Sequence, residues 1–204
     1  MSLTRTHPAQ AFNSLGNINI YDIFVDSCST SALKQQQQQQ RLLSPLGEGS
    51  NNNAGCAVEY DPCIDDRTTA YLNTPSVKAA IHANASITWA GCSSIVDYSR
   101  FDLLSSMLPT YKFLFTAGLK ILVFSGDVDA IVPVLGTRAW LAQLGLTETA
   151  ASRPWSLGGQ VGGWVTQYKE LTFSTVRNAG HMVPETQGAR ALALVNSFLF
   201  DTPL

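Results

Sequence analysis

Two short apolar runs, Ile121 to Phe124 and Leu171 to Val176, are rich in β-branched and aromatic residues and are bounded by turn formers. That is the pattern of buried strands. Each leads into a helical pattern. After the first, Val134 to Leu144 has the helical spacing, with Gly145 as its stop. After the second, Ala191, Leu192, Val195, Phe198 and Leu199 recur as one expected helix face. Upstream, Leu104, Met107, Leu108, Tyr111 and Phe115 form a helical stripe within 101–118, with a kink expected at Pro109. Thr74 is expected to cap a shorter helix that has Pro75 at its first position and Val77, Ala80 and Ile81 on its buried side. Ile18, Ile20 and Phe24 alternate as in a short strand or extended arm. Ser156 to Tyr168, glycine-rich and flanked by Trp155, reads as a loop packed by aromatic residues. The pattern predicts an α/β domain with about two strands. So small a sheet leaves an unpaired edge and an open apolar face, which predicts poor solubility for the chain alone.

Composition narrows the class. The chain has 204 residues, 45% of them apolar, and a formal net charge of −2. These values describe a globular domain and give no sign of a nucleic-acid partner. No apolar run reaches the roughly 18 residues of a membrane span, so no membrane association is expected. Met1 to Gln10 carries no apolar core behind its arginine, so no signal peptide is read there. Residues 29–55 are different material, with Gln35 to Gln40 between Lys34 and Arg41, then Asn51 to Asn53 among Gly and Ser. This composition cannot bury a core and reads as an exposed linker open to proteolytic nicking. It divides the chain into an arm (1–28), the linker (29–55) and the main α/β part (56–204).

The cysteines, Cys28, Cys56, Cys63 and Cys92, lack the spacing of a zinc site or a CxxC motif. Disulfides are the better reading, and they imply an oxidising compartment. A processed N-terminus reconciles that with the absent signal. Cys28 and Cys63 flank the linker, so a bridge between them would hold its ends together after cleavage. Asn84-Ala-Ser86 is a glycosylation sequon directly after the short helix.

The chemistry gathers at the two strand ends. In an open α/β sheet, sites form beyond the carboxyl ends of strands. The first strand runs into Asp127-Val-Asp129, the second into Asn178-Ala-Gly-His181-Met-Val-Pro184. Acid before histidine matches the last two members of an α/β-hydrolase triad. Asp129 lies deeper in its turn, so it is the expected partner of the His181 Nδ1–H, and Asp127 is expected to bond turn amides. As a metal-binding DxD pair the aspartates lack completing ligands, so neither metal nor cofactor is expected. No Gly-x-Ser-x-Gly elbow occurs in the sequence. Ser125 sits too close to the acid, and Ser93 and Ser94 follow Cys92 without a strand–helix elbow.

Taken in order, several segments resemble serine carboxypeptidases of the plant and lysosomal type. They are Asn19-Ile-Tyr-Asp22, Tyr60-Asp-Pro-Cys63, Tyr71-Leu-Asn73, Val77-Lys-Ala-Ala-Ile-His-Ala-Asn84 and Trp89-Ala-Gly-Cys92. Further on come Phe124-Ser-Gly-Asp-Val-Asp129 with Val132-Pro133, Val161-Gly-Gly-Trp164 and Ala179-Gly-His-Met-Val-Pro184. The resemblance runs from about Asn17 to Leu199 and implies the C-terminal part of an α/β-hydrolase fold with the end of a cap segment. It assigns Asp129 and His181 to the triad and supports a Cys28–Cys63 bridge across an excised linker. It leaves Cys92 to pair with the N-terminal half of the family fold, and Cys56 without an assigned mate. The serine, the oxyanion-hole amides and the substrate-carboxylate grip belong to that N-terminal half, the implied partner. The implied activity is release of C-terminal residues from peptides in the secretory pathway, vacuolar, lysosomal or extracellular, with this chain inactive alone. Acyltransfer on the same fold and a catalytically inactive remnant are the alternatives.

Overall fold

A computed structural model of the chain describes Gly16, residues 18–29, Asp61, residues 63–93 and residues 95–204. The glutamine stretch, Cys56 and Ser94 lie outside the described residues. What is described divides into two compact units, one within Met1–Phe24 and Leu104–Leu204, the other within Val25–Leu103.

The first unit is built on a mixed sheet of four strands, β1 (Leu122–Gly126), β2 (Glu148–Leu157), β3 (Gln160–Tyr168) and β4 (Thr172–Val176), in the order β1-β4-β3-β2. β1 and β4 are parallel, with Ser125 opposite Thr175 and Gly126 opposite Val176. β2 and β3 form an antiparallel hairpin, and β3 runs antiparallel to β4. A parallel pair needs a long crossover. Here it includes helix α5 (Val134–Ala142) and the hairpin.

Two strands were expected and four are present among the described residues, because Ser156 to Tyr168 is not a loop. Its glycines belong to the sheet. A Cβ on Gly162 would stand 2.2 Å from the Trp155 ring, and one on Gly163 would stand 1.8 Å from the Thr175 carbonyl oxygen. Glycine is therefore what lets β3 lie against both the indole and β4. Trp155 is 1% exposed, and its Nε1–H donates to the Thr175 carbonyl at 3.2 Å. Burial thus costs the indole no unmet hydrogen bond.

Alternation along the strands feeds a cluster on each face. Leu122 and Val176 pack with Trp155, Val165, Ala179 and Val183, the last in the short helix α6 (Val183–Thr186), under Ala191 and Leu194 of helix α7 (Gly188–Phe200). Val123 and Phe173 pack oppositely with Leu141 of α5 and with Tyr111 and Phe115 of helix α4 (Leu108–Thr116). The buried face of α7 is therefore turned from the expected one, and Leu192, Val195 and Leu199 are exposed. Pro109 stands in the first turn of α4 and kinks nothing. The expected single helix is instead α4 and a separate short helix, α3 (Arg100–Leu103), since proline fits a helix start and not its interior. Residues 18–29 contain turns and no strand.

In the second unit, α1 (Ile64–Leu72) and α2 (Pro75–Ala80) precede α3. Cys28 and Cys63 are joined by a disulfide with their Cα atoms 4.8 Å apart. Closing a loop of that sequence separation, 35 residues, restricts the unfolded chain and is worth about 3–4 kcal/mol. On α2 the expected buried stripe is replaced by Lys78, with Ile81 exposed, and Thr74 makes no side-chain cap.

Removing the indole from a site this enclosed leaves a cavity between sheet and α7. Trp155→Ala is expected to lower unfolding free energy by about 3–5 kcal/mol, read as a shifted denaturation midpoint. Gly162→Ala is expected to destabilise in the same direction through the clash with the ring.

Candidate active site

The parallel pairing of β1 and β4 continues past the strand ends. The Asp127 amide donates to the Val176 carbonyl at 3.2 Å, and the Val128 amide to the Ala179 carbonyl at 3.1 Å. Gly126 sits at this junction, where a Cβ would lie 2.1 Å from the Ala179 carbonyl oxygen and 2.3 Å from that of Gly180. Only a residue without a side chain lets the two turns meet this closely.

Asp129 is held by its own turn. Its Oδ1 accepts the amides of Ile131 (2.9 Å) and Val132 (3.1 Å), which fixes the carboxylate and aims Oδ2 away from the turn. Oδ2 meets His181 Nδ1 at 3.0 Å. A carboxylate only accepts, so the contact places a proton on Nδ1 and leaves Nε2 as the free lone pair of the neutral ring. The Asp129 side chain is 6% exposed and that of His181 37% exposed, so the acid is shielded while the imidazole stays within reach of solvent.

Asp127 was expected to bond turn amides near itself. It reaches across instead, and its Oδ1 accepts the Asn178 amide of the histidine turn at 2.7 Å. Asn178 adopts a left-handed φ of +56°, which turns the chain sharply after β4.

A third segment closes the arrangement, one whose role the sequence did not disclose. Residues 20–23 lie across both turns. The Ala130 amide donates to the Ile20 carbonyl (3.0 Å), the Ile23 amide to the Val128 carbonyl (3.1 Å), and the His181 amide to the Tyr21 carbonyl (2.6 Å). The Tyr21 and His181 rings lie 5.7 Å apart, tilted by 52°. Asp22 is 3% exposed, and its Oδ1 accepts the Phe24 amide at 3.1 Å. Burial pushes its carboxyl above the ordinary range; the Phe24 amide opposes this, and the Asp127 charge adds to it. The sequence signals for it were the alternation of Ile18, Ile20 and Phe24 and the segment Asn19-Ile-Tyr-Asp22, one of those that carried the resemblance.

No serine joins this pair among the described residues. Ser125 is buried and its hydroxyl lies 3.1 Å from that of Thr137. The Ser93 hydroxyl accepts the Ile95 amide. Cys92 is an exposed free thiol, and Asn84 is exposed at the surface of its loop. Among the described residues, no three His, Cys, Asp or Glu side chains gather as a metal site requires, and no helix is long and apolar enough to cross a membrane.

The serine carboxypeptidase family signature matches residues 3–201. The chain belongs to the serine carboxypeptidase family. Serine carboxypeptidase-like 29 of Arabidopsis thaliana is 42% identical over 197 residues, which is 95% of this chain and 40% of that protein. Serine carboxypeptidase 24 of the same plant is 38% identical over 190 residues, 92% of this chain and 40% of its own length. This serine carboxypeptidase chain thus spans about two fifths of the curated relatives it matches. Among solved structures, Kex1(delta)p, a prohormone-processing carboxypeptidase from Saccharomyces cerevisiae, aligns with a TM-score of 0.60. That alignment is 23% identical and covers 74% of this chain and 34% of the yeast one. The likeness establishes the fold, an α/β hydrolase, of which the four-stranded sheet here is part.

Two outcomes follow from the packing of the turns. Gly126→Ala is expected to force the histidine turn away from β1, lengthening the Asp129–His181 contact and costing about 1–3 kcal/mol of stability; a crystal structure and a denaturation curve read both. Asp22 supplies a pH effect. Its folded pKa lies above the unfolded value near 3.8, so between the two the folded state holds more protons than the unfolded one. Stability then falls as pH rises through that window, with the destabilisation fully present above it. Asp22→Asn is expected to remove this component, so the variant gains on the wild type at neutral pH and loses that advantage as pH drops below about 3.8.

Proposed function

We propose that this chain supplies the acid and the histidine of a serine-type carboxypeptidase. The nucleophilic serine and the oxyanion donors would come from the portion of the family fold that these 204 residues do not include. The observation that supports the reading is the 3.0 Å contact between His181 Nδ1 and the buried Asp129. Shielding strengthens that hydrogen bond, because less water competes for the carboxylate.

In this reading His181 Nε2 accepts the proton of the serine hydroxyl as its oxygen bonds to the scissile carbonyl carbon. The C–N bond then breaks, and the proton passes from His181 to the departing amine, the peptide's C-terminal residue. A water molecule repeats the sequence on the ester, with His181 taking its proton and returning it to the serine. Asp129 holds the ring in one tautomer and stabilises the imidazolium at each stage. Asp127 and the 20–23 segment act only through the position of the turns.

The partner in this reading is the serine-bearing part of the fold, and the sheet supplies a reason for it. β1 pairs with β4 on one side and has no neighbour on the other among the described residues. An open strand edge beside exposed apolar side chains is a docking surface for further sheet. Phe124, on β1 itself, is 41% exposed.

The test is complementation. The purified chain alone is expected to hydrolyse a blocked dipeptide no faster than buffer, and addition of the serine-bearing portion is expected to restore turnover. Within the active complex, Asp129→Asn is expected to lower kcat by about 10⁴-fold, and His181→Ala by at least as much. Asp127→Asn should act more mildly, since it touches neither substrate nor imidazole. Serine-type peptidase activity from the chain alone contradicts the missing nucleophile. Product on a hydroxyl acceptor in place of free acid reassigns the complex as an acyltransferase.

A further inference from the structure

The amides of residues 177–181 carry the chain from β4 to the imidazole, and each has an identifiable acceptor. Arg177 donates to the Gly162 carbonyl at 2.8 Å, Asn178 to Asp127 Oδ1 at 2.7 Å, Ala179 to the Val176 carbonyl at 3.3 Å and His181 to the Tyr21 carbonyl at 2.6 Å. Those acceptors belong to the sheet, to the acid turn or to the 20–23 segment. Gly180 differs. Its amide donates to the Thr186 hydroxyl oxygen at 3.1 Å. That acceptor lies on the other side of the histidine, in the last residue of α6, and two residues beyond the last segment that carried the family resemblance.

The helix itself prepares Thr186 for this contact. The Glu185 and Thr186 amides both donate to the Met182 carbonyl, at 2.9 and 3.1 Å. The Thr186 hydroxyl donates to the same carbonyl at 3.3 Å. A hydroxyl has one proton and two lone pairs, so directing the proton to Met182 leaves Thr186 Oγ1 as an acceptor toward Gly180. One side chain therefore links the peptide units on both sides of His181. Threonine is branched at Cβ and stiff at χ1, which keeps the link short. Gly180 is buried, and a Cβ there would stand 2.3 Å from the Tyr21 carbonyl oxygen and 2.9 Å from Asp22 Oδ2. An amide enclosed this closely bears the full cost of desolvation once its acceptor is removed. The turn relieves that cost only by moving, and His181 moves with it.

We propose that Thr186 is a positioning residue for His181: its hydroxyl brackets residues 180–182 and thereby sets where the imidazole meets Asp129. The inference rests on the catalytic reading of that pair. Asp129 holds the ring through Nδ1 at 3.0 Å. The Tyr21 carbonyl and the Thr186 hydroxyl hold the backbone from which the ring is presented. Thr186 acts through that backbone and not on the substrate. Valine has the shape of threonine without its hydroxyl, so Thr186→Val deletes both side-chain bonds and keeps the branching at Cβ.

The experiment reads the intact chain first, by amide hydrogen exchange and by proton NMR of the imidazole. In the wild type the Gly180 amide is expected to be protected and the His181 Nδ1 proton to be observed. Thr186→Val is expected to lose the Gly180 protection and to speed exchange of the His181 Nδ1 proton; Thr186→Ser, which keeps the hydroxyl, is expected to retain both. Lost Gly180 protection with an unchanged Nδ1 proton makes the contact structural only and overturns the proposal. An unprotected Gly180 amide in the wild type overturns it too, an outcome that requires no variant to fold. In the complex with the serine-bearing portion, Thr186→Val is expected to lower kcat by between about 10- and 100-fold at unchanged KM, with Thr186→Ser restoring it. A kcat equal to that of the wild type contradicts the positioning role while leaving the catalytic reading intact. Absence of turnover in every complex contradicts the catalytic reading, and the exchange measurements on the chain alone still decide the bracket.

Discussion

The structure depends on one constraint, the in-register parallel pairing of β1 with β4 at their carboxyl ends. Ser125 opposite Thr175 and Gly126 opposite Val176 bring two turns, some fifty residues apart in sequence, to the same edge. From there a short ladder continues outward through the Asp127 and Val128 amides and through Asp127 to Asn178. Each bond is modest, about 1 kcal/mol net. Together they fix where Asp129 and His181 face each other. A register slip of one residue would turn every side chain of β1 to the opposite face of the sheet and separate the pair.

The 20–23 segment tightens the same constraint from outside the sheet. Its three backbone bonds reach Val128 and Ala130 of the acid turn and His181 of the histidine turn, so neither turn can shift without straining the other. It brings in a carboxylate, Asp22, whose pKa is raised first by burial and then, more weakly, by the charge of Asp127. Burying one acid near another costs stability at neutral pH. That cost falls where side chains must be held in one geometry, as strained or costly groups tend to do at functional sites.

Local chemistry made the site legible in the sequence. A strand ending in an acid turn and a strand ending in Gly-His were visible as short apolar runs against turn residues, and the choice of Asp129 over Asp127 rested on depth in the turn. Packing hid the rest. The glycines of β3 signalled a loop because their purpose, room for Trp155 and for β4, is a tertiary contact with no local trace. The buried face of α7 ran through Ala191 and Leu194 in place of Leu192 and Val195, since an apolar helix with residues to spare on several sides does not declare its inner face. Lys78 was buried on α2 because its ammonium had a carbonyl to reach, at Ile87, and no hydropathy pattern anticipates a satisfied buried lysine. The 20–23 segment showed only its alternation and its family-like Asn19-Ile-Tyr-Asp22, neither of which points to hydrogen-bond partners more than a hundred residues downstream.

The central claim is that Asp129 holds His181 with its proton on Nδ1 and its lone pair on Nε2. Nitrogen-15 NMR of the imidazole in the intact chain, read on its neutral form, measures this directly. The account predicts the Nδ1–H tautomer, a downfield Nδ1 proton protected from exchange, and loss of both in Asp129→Asn. An Nε2–H tautomer, or an imidazole spectrum unchanged by that substitution, would contradict it.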